Sequence, residues 1–161
     1  MTFALAKMCR VLLWLTLFLW ALPVGFVLGA VAGFRVLALP AILLLLIYGW
    51  TWTRFRPTRF VIRPESLEVI WPLKQRGIPR SSIASVRLVD REELRGLIGW
   101  AARIGAGGLW GGFGWLWTQR KGIVQMYVSR LDQFVWIERG RERPWLITPA
   151  DPESFIAALN H

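Results

Sequence analysis

The hydrophobic pattern divides this chain into two unlike parts. Val11 to Phe34 carries no charged side chain over 24 positions, Arg35 follows, and Val36 to Thr53 is uncharged over another 18. Each run is close to the ~20 residues that cross a hydrocarbon core of roughly 30 Å at about 1.5 Å per helical residue. Backbone groups in a bilayer must be paired within their own segment, so the pattern predicts two helices, about 11–33 and 36–53. The small residues Gly29 to Gly33, with Arg35, supply the turn between them. The block Ile42 to Ile47 has no polar face, which argues against a helix lying on a membrane surface. A buried core helix is the competing reading, but a compact chain this short has no place to hide two such runs. Pro23 and Pro40 fall inside the runs, where membrane helices tolerate them. Tyr48, Trp50 and Trp52 sit where an interfacial aromatic belt belongs.

From Arg54 onward the pattern changes period. Short β-branched and aromatic stretches recur between turn residues, which predicts strands at 59–63, 67–71, 74–79, 85–90, 113–118, 123–129, 134–138 and 144–147. The end of the chain reads differently. Asp151-Pro152-Glu153-Ser154 offers a helix cap, a proline at the first helical position and an acid in the first turn. Phe155, Ile156, Ala158 and Leu159 then follow at helical spacing. The expected order is a helical hairpin over residues 1–56, then a domain over 57–161. That domain is a bent antiparallel sheet, a partly open barrel with one terminal helix stopping its open end.

Composition and charge add location and exclude chemistry. The 161 residues are 55% hydrophobic with a net charge of +10, and 17 of the 20 basic residues lie from Arg54 onward. Lys7 and Arg10 precede the first run, Arg54, Arg56, Arg59 and Arg63 follow the second, and only Arg35 lies between them. The excess of positive charge near both outer ends predicts a multi-pass membrane protein with both termini cytoplasmic. Ala30-Val31-Ala32 resembles a signal-peptidase site, but cleavage there would leave the second helix and the same side assignment. A single cysteine, Cys9, excludes a disulfide framework, and one histidine, His161, makes histidine-dependent catalysis and the usual zinc sites improbable. Cys9 reads as a passive small residue, with a lipidated or reactive thiol as the alternative. No cofactor, no metal and no nucleic-acid partner is expected.

The ordered set Phe60-Val61-Ile62, Leu67-Glu68-Val69, Arg76-Gly77-Ile78-Pro79 and Ile83-Ala84-Ser85-Val86 resembles the opening of the bacterial pleckstrin-homology-like domains. Met126 to Arg130 and Thr148 to Ile156 are similar to that family's last strands and helix. The resemblance covers roughly Pro57 to Asn160. It implies about seven strands in a strongly bent sheet capped by a helix, and members of the family often carry N-terminal membrane helices. It carries over no catalytic residues; together with the two apolar runs and their flanking charges, it makes the bacterial inner membrane the expected location.

Two regions stand out as candidate sites. Arg54, Arg56, Arg59 and Arg63, which leave the membrane directly, form with Lys74, Arg76 and Arg80 the strongest basic accumulation, and anionic lipid headgroups are the expected contact of Arg54, Arg56, Arg59 and Lys74. The bland reading is a topology signal on a solvated face. Gly96 to Gly114 holds eight glycines, and no Gly-Lys-Ser/Thr follows to make a phosphate loop. A third span competes here, since only Arg103 is charged between Leu97 and Trp117, but glycines weaken a helix by ~1 kcal/mol each. The reading adopted is a long loop whose Trp100, Trp110 and Trp115 rest on the membrane surface or meet a partner. The same rings filling the core is the equal alternative. The mixed charges from Arg87 to Arg95 read as a solvated, salt-bridged turn. The expected function is a non-enzymatic binding or scaffold module at the cytoplasmic membrane face. Its contacts are a membrane protein partner or a second copy of the chain, and anionic lipid. The alternative is an accessory subunit or cryptic enzyme acting on a membrane lipid.

Overall fold

The computed structural model describes residues 1–160; His161 lies outside the described residues. The chain begins in the sheet, not in the helices. Strand β1 (Thr2–Ala4) pairs antiparallel with β2 (Arg59–Ile62), with Phe3 opposite Phe60. The chain then crosses the open end of the fold, where the Ser129 hydroxyl donates to the Ala6 carbonyl at 2.6 Å. From there it enters α1 (Arg10–Val31). A short 3-10 turn at Arg35–Leu37 leads into α2 (Ala38–Arg54). α1, and α2 taken with the 3-10 turn before it (Arg35–Arg54), are long and apolar enough to cross a membrane. Their outward faces are bare hydrocarbon, with Phe18, Leu28, Leu39 and Leu46 all more than 60% exposed. Water would penalise that surface strongly, which suggests membrane association.

Arg59–Ile62 starts an antiparallel meander through β3 (Ser66–Ile70) and β4 (Gln75–Pro79), giving a four-stranded sheet in the order β1-β2-β3-β4. A second sheet has six strands: β5 (Ser85–Val89), β6 (Ala101–Gly107), β7 (Gly112–Thr118), β8 (Gly122–Val128), β9 (Phe134–Glu138) and β10 (Trp145–Ile147). Their order is β5-β9-β10-β8-β7-β6, antiparallel throughout except for the parallel β8–β10 pair. Two helices complete the domain, α3 (Arg91–Ile98) and α4 (Pro152–Asn160). The arrangement is the expected helical hairpin followed by open sheets and a terminal helix. As expected of a partly open barrel it does not close, and the described residues form ten strands where the resemblance implies about seven.

Strand alternation explains the two cores. In β9, Val135 and Ile137 face the four-stranded sheet and α4, while Phe134 and Trp136 face α3. The first core includes Phe60, Leu67, Trp145 and Phe155, all fully buried. α4 starts as expected, with the Asp151 carboxylate accepting the Ser154 amide at 3.1 Å, and it delivers Phe155 against Phe3 and Phe60. The second core lies under α3. The mixed charges read as a turn are therefore a helix: Asp90 caps it by accepting the Glu93 amide at 2.8 Å, and Leu94 and Ile98 are buried beneath it.

The Gly/Trp-rich segment departs most from expectation. It is neither a loop nor a third helical span. It is the end of α3 followed by the β6–β7 hairpin, in register from Ala101 opposite Thr118 to Gly107 opposite Gly112. The helix limits also move slightly from those expected, to 10–31 and 38–54.

Candidate functional site

A pocket of about 370 Å³ opens where α2 meets the two sheets. The four-stranded sheet covers only part of the six-stranded one. Past the edge strand β4, part of β6 and β7 is left uncovered beside the buried end of β8. Arg54 and Phe55 arrive from the end of α2, Trp71, Lys74 and Arg76 from the β3–β4 turn and β4, and Trp115, Gln125 and Tyr127 from β7 and β8. Gly105 and Gly114, paired directly across the hairpin, complete the wall. Both have left-handed φ, 132° and 123°, and a Cβ on either would come within 2.7 Å of the carbonyl oxygen of Phe113 or Ile104 respectively. Only glycine fits both positions, so the wall there is bare backbone.

The electrostatics are one-sided. Arg54, Lys74 and Arg76 share the pocket, and none of the residues lining it is acidic. Burial lowers the Lys74 ammonium from its ordinary pKa, and the Arg54 and Arg76 cations lower it further. Its nitrogen lies 4.6 Å from the Trp71 ring centroid and 5.8 Å from that of Phe55. Cation–π attraction there replaces part of the lost hydration. Arg76 donates to the Gln125 side-chain carbonyl at 3.2 Å, and the Gln125 amide donates to the Gly114 carbonyl at 2.7 Å. Tyr127 forms the floor. Burial pushes its phenol up to about 12, against the opposing pull of Arg76. The pocket thus presents cations, amides and aromatic faces, a donor set suited to an anion carried on an apolar body.

The candidate residues separate on this geometry. Arg54 and Lys74 line the pocket. Arg56 stacks on Trp52, with its guanidinium carbon 4.2 Å from the ring centroid, and its Nε is buried without a hydrogen-bond partner. Burial lowers its pKa. Arg59 is exposed on β2 and does not reach the pocket. Trp115 is on the pocket rim and 46% exposed, while Trp100 packs edge-on against Trp117 at 5.7 Å near the far end of the hairpin. Trp110 is not on the surface. It is only 9% exposed, packed edge-on against Trp52 at 4.8 Å and Tyr48 at 6.2 Å. The sequence reading gave no site role to Arg76, Gln125 or Tyr127. Arg76 was visible within the basic accumulation, but nothing in the strand pattern of β8 marked its two polar tips. Cys9 sits half-buried at the N-cap of α1 and makes no capping bond.

A second depression of about 350 Å³ lies on the other side of Arg76, bordered by Arg139, Arg141, Glu142 and Arg143. Arg139 is only 4% exposed, paired with Glu142 and donating to the Ser82 hydroxyl at 3.2 Å. Its partners within the fold account for it as a structural cation.

A bent sheet arrangement, a terminal helix and a pocket at the open rim define a pleckstrin-homology-like module. The profile of the Bacterial PH domain family matches residues 58–161, well over half of the chain, and the protein belongs to that family. Neither a curated protein nor a solved structure matches the chain.

Proposed function

We propose that this protein is a membrane-anchored binding module. In this reading α1 and α2 cross the bacterial inner membrane with both termini in the cytoplasm. The Arg54–Lys74–Arg76 pocket holds the phosphate of an anionic lipid headgroup, and the domain serves as a scaffold for a membrane protein partner. The observation that carries the headgroup reading is that three cations share one pocket at the very end of an apolar helix. A headgroup drawn from the surrounding bilayer would meet them there without leaving its leaflet. Juxtamembrane cations contribute roughly 1 kcal/mol each toward anionic lipid. The lining holds donors and aromatic rings, with Tyr127 kept protonated, and such a set favours holding a ligand over transforming one.

The test uses the full chain in a nonionic detergent, titrated with short-chain phosphatidylglycerol and with short-chain phosphatidylcholine. The expected outcome is preference for phosphatidylglycerol. Arg54→Gln combined with Lys74→Gln should weaken that binding by about 30-fold, at roughly 1 kcal/mol for each charge removed. Equal affinity for the two lipids, or an affinity unchanged in the double variant, would overturn the headgroup reading.

A further inference from the structure

The turn of the β6–β7 hairpin does not project into solvent. It lies against the flanks of α1 and α2. The Thr16 hydroxyl accepts the Trp110 amide at 3.0 Å, and its single proton is shared between the Leu12 carbonyl of its own helix at 2.7 Å and the Gly108 carbonyl at 3.2 Å. The Gly108 amide donates to the Gly111 carbonyl at 2.9 Å, which closes the turn. Gly108 has φ of +93°, and a Cβ there would sit 3.1 Å from the Leu15 side chain, so the backbone itself touches α1. Leu109, Trp110 and Phe113 are buried in one cluster with Tyr48, against Leu19 and Leu44.

The position of this contact along the helices is decisive. Thr16 is six residues beyond Arg10, and Tyr48 six before Arg54, so each lies about 9 Å from the charged end of its helix. Leu19, whose side chain would lie 3.5 Å from a Cβ on Gly108, is deeper, at about 14 Å. If the hydrocarbon began only beyond these contacts, 12 residues of α1 would remain, Trp20 to Val31, or about 18 Å. That is far short of the roughly 30 Å to be crossed. The helices therefore cannot span a bilayer while the hairpin turn stays outside it.

We propose that the β6–β7 hairpin is a third membrane element, a wedge whose turn is sunk among the acyl chains of the leaflet on the sheet side. The proposal rests on the reading of α1 and α2 as spanning helices. Non-helical backbone survives at membrane depth only where protein covers it and its polar groups are paired. Residues Gly108 to Gly111 are all buried, Thr16 accepts the Trp110 amide, and its hydroxyl stands 3.2 Å from the Gly108 carbonyl. The outer surface fits the same placement. Ile104 and Trp115 are directly paired across the hairpin and about half exposed, and Trp115 shares the pocket with Arg54 at the level of the helix end. An exposed tryptophan at that level matches the interfacial preference of its ring. Arg103 is the one charged residue between Ala101 and Thr118. Its side chain runs along the hairpin past Gly107, and it has no ion pair among the described residues. A long cation on an otherwise uncharged wedge reaches for lipid phosphate.

The experiment is site-directed spin labelling of the full chain, carrying Cys9→Ser, in vesicles of phosphatidylcholine and phosphatidylglycerol. Labels are placed through Gly107→Cys at the turn, Ile104→Cys at the rim, Leu28→Cys on the outward face of α1 and Gln119→Cys at the far end of the hairpin. Collision with oxygen reports lipid, and collision with a water-soluble nickel chelate reports water. The proposal expects oxygen-dominated relaxation at positions 28 and 107, partial shielding from nickel at 104 and full nickel access at 119. Lipid at 28 with water at both 104 and 107 would overturn the wedge and leave the spanning helices intact. Water at 28 would overturn both readings. Should Gly107→Cys disturb the turn, Ile104→Cys decides, since its side chain already faces outward.

Discussion

At Lys74 the pocket's own charges work against the residue that is to hold a ligand. Burial, then Arg54 and Arg76, hold its pKa below the ordinary 10.5, so the folded protein binds this proton less tightly than the unfolded chain. Stability therefore gains from rising pH over the interval from the depressed value up to 10.5. An anion in the pocket restores the proton's affinity, so headgroup binding takes up a proton. Affinity should fall as pH climbs through the ligand-free value. Titration with short-chain phosphatidylglycerol at a series of alkaline pH values should show this decline in the wild type and a nearly flat profile in Lys74→Arg. A flat wild-type profile would remove Lys74 from the contact. Tyr127 adds no competing event below its own titration at about 12. Part of this site was legible in the sequence, because Arg54 and Lys74 stand out as cations following an apolar run. Gln125 and Tyr127 were not. They are two alternate residues of a strand with both faces buried, and only the open rim of the sheet turns them toward a cavity. Trp110 and Trp115 are the same residue type in the same glycine-rich stretch. The topology alone sends one under the helices and the other to the pocket rim.

Among the elements, α3 shows how charge can hide a helix. Its Asp90 cap and the spacing of Leu94, Leu97 and Ile98 were present in the sequence, but eight residues of mixed charge read equally well as a turn. What decides is the bare back face of β8, β9 and β10, where Met126, Trp136 and Leu146 need a cover. Strand β6 was hidden for the opposite reason. Ala101–Gly107 has no alternation and a single β-branched residue, and it becomes a strand because β7 offers a full ladder. Three-residue β1 was too short to be told from a lead-in to the helix. The alternating strand Ser66–Ile70 and the continuous apolar run of Phe134–Glu138 were legible almost to the residue. The role of α3 is testable through its cap. Asp90→Ala should cost about 1 kcal/mol of stability, while Asp90→Asn, which keeps an acceptor, should cost only a few tenths. Hydrogen exchange should localise the loss to the amides of α3. Equal losses in the two variants would mean that the side-chain bond to the Glu93 amide contributes nothing.

For the whole molecule, the helices and the sheets are not a domain on a leash. The chain enters the sheet at Phe3, leaves it for α1 and α2, and returns at Arg59, so the helical hairpin is inserted between two paired strands. The β6–β7 turn then grips α1 from the side, and the ring cluster of Trp20, Tyr48, Trp52 and Trp110 joins both helices to it. A pocket that takes Arg54 from α2 and Trp115 from β7 keeps its shape only if this joint is rigid. The Trp110 amide reports the joint directly, because its acceptor is a side chain on α1. In the full chain that amide should exchange slowly. In a chain cut to residues 57–161 it should exchange as an exposed amide does, and joining residues 1–9 to that fragment should protect the β2 amides without slowing Trp110. Should the fragment aggregate through its uncovered Leu109, Trp110 and Phe113, Thr16→Val in the full chain supplies the same measurement. Losing the hydroxyl leaves the Trp110 amide short of a partner, a penalty of about 1–3 kcal/mol. Exchange at Trp110 should then quicken by about tenfold or more. A Trp110 amide equally protected with and without the Thr16 hydroxyl would mean that the hairpin holds its own turn, and that the pocket owes its shape to the sheets alone.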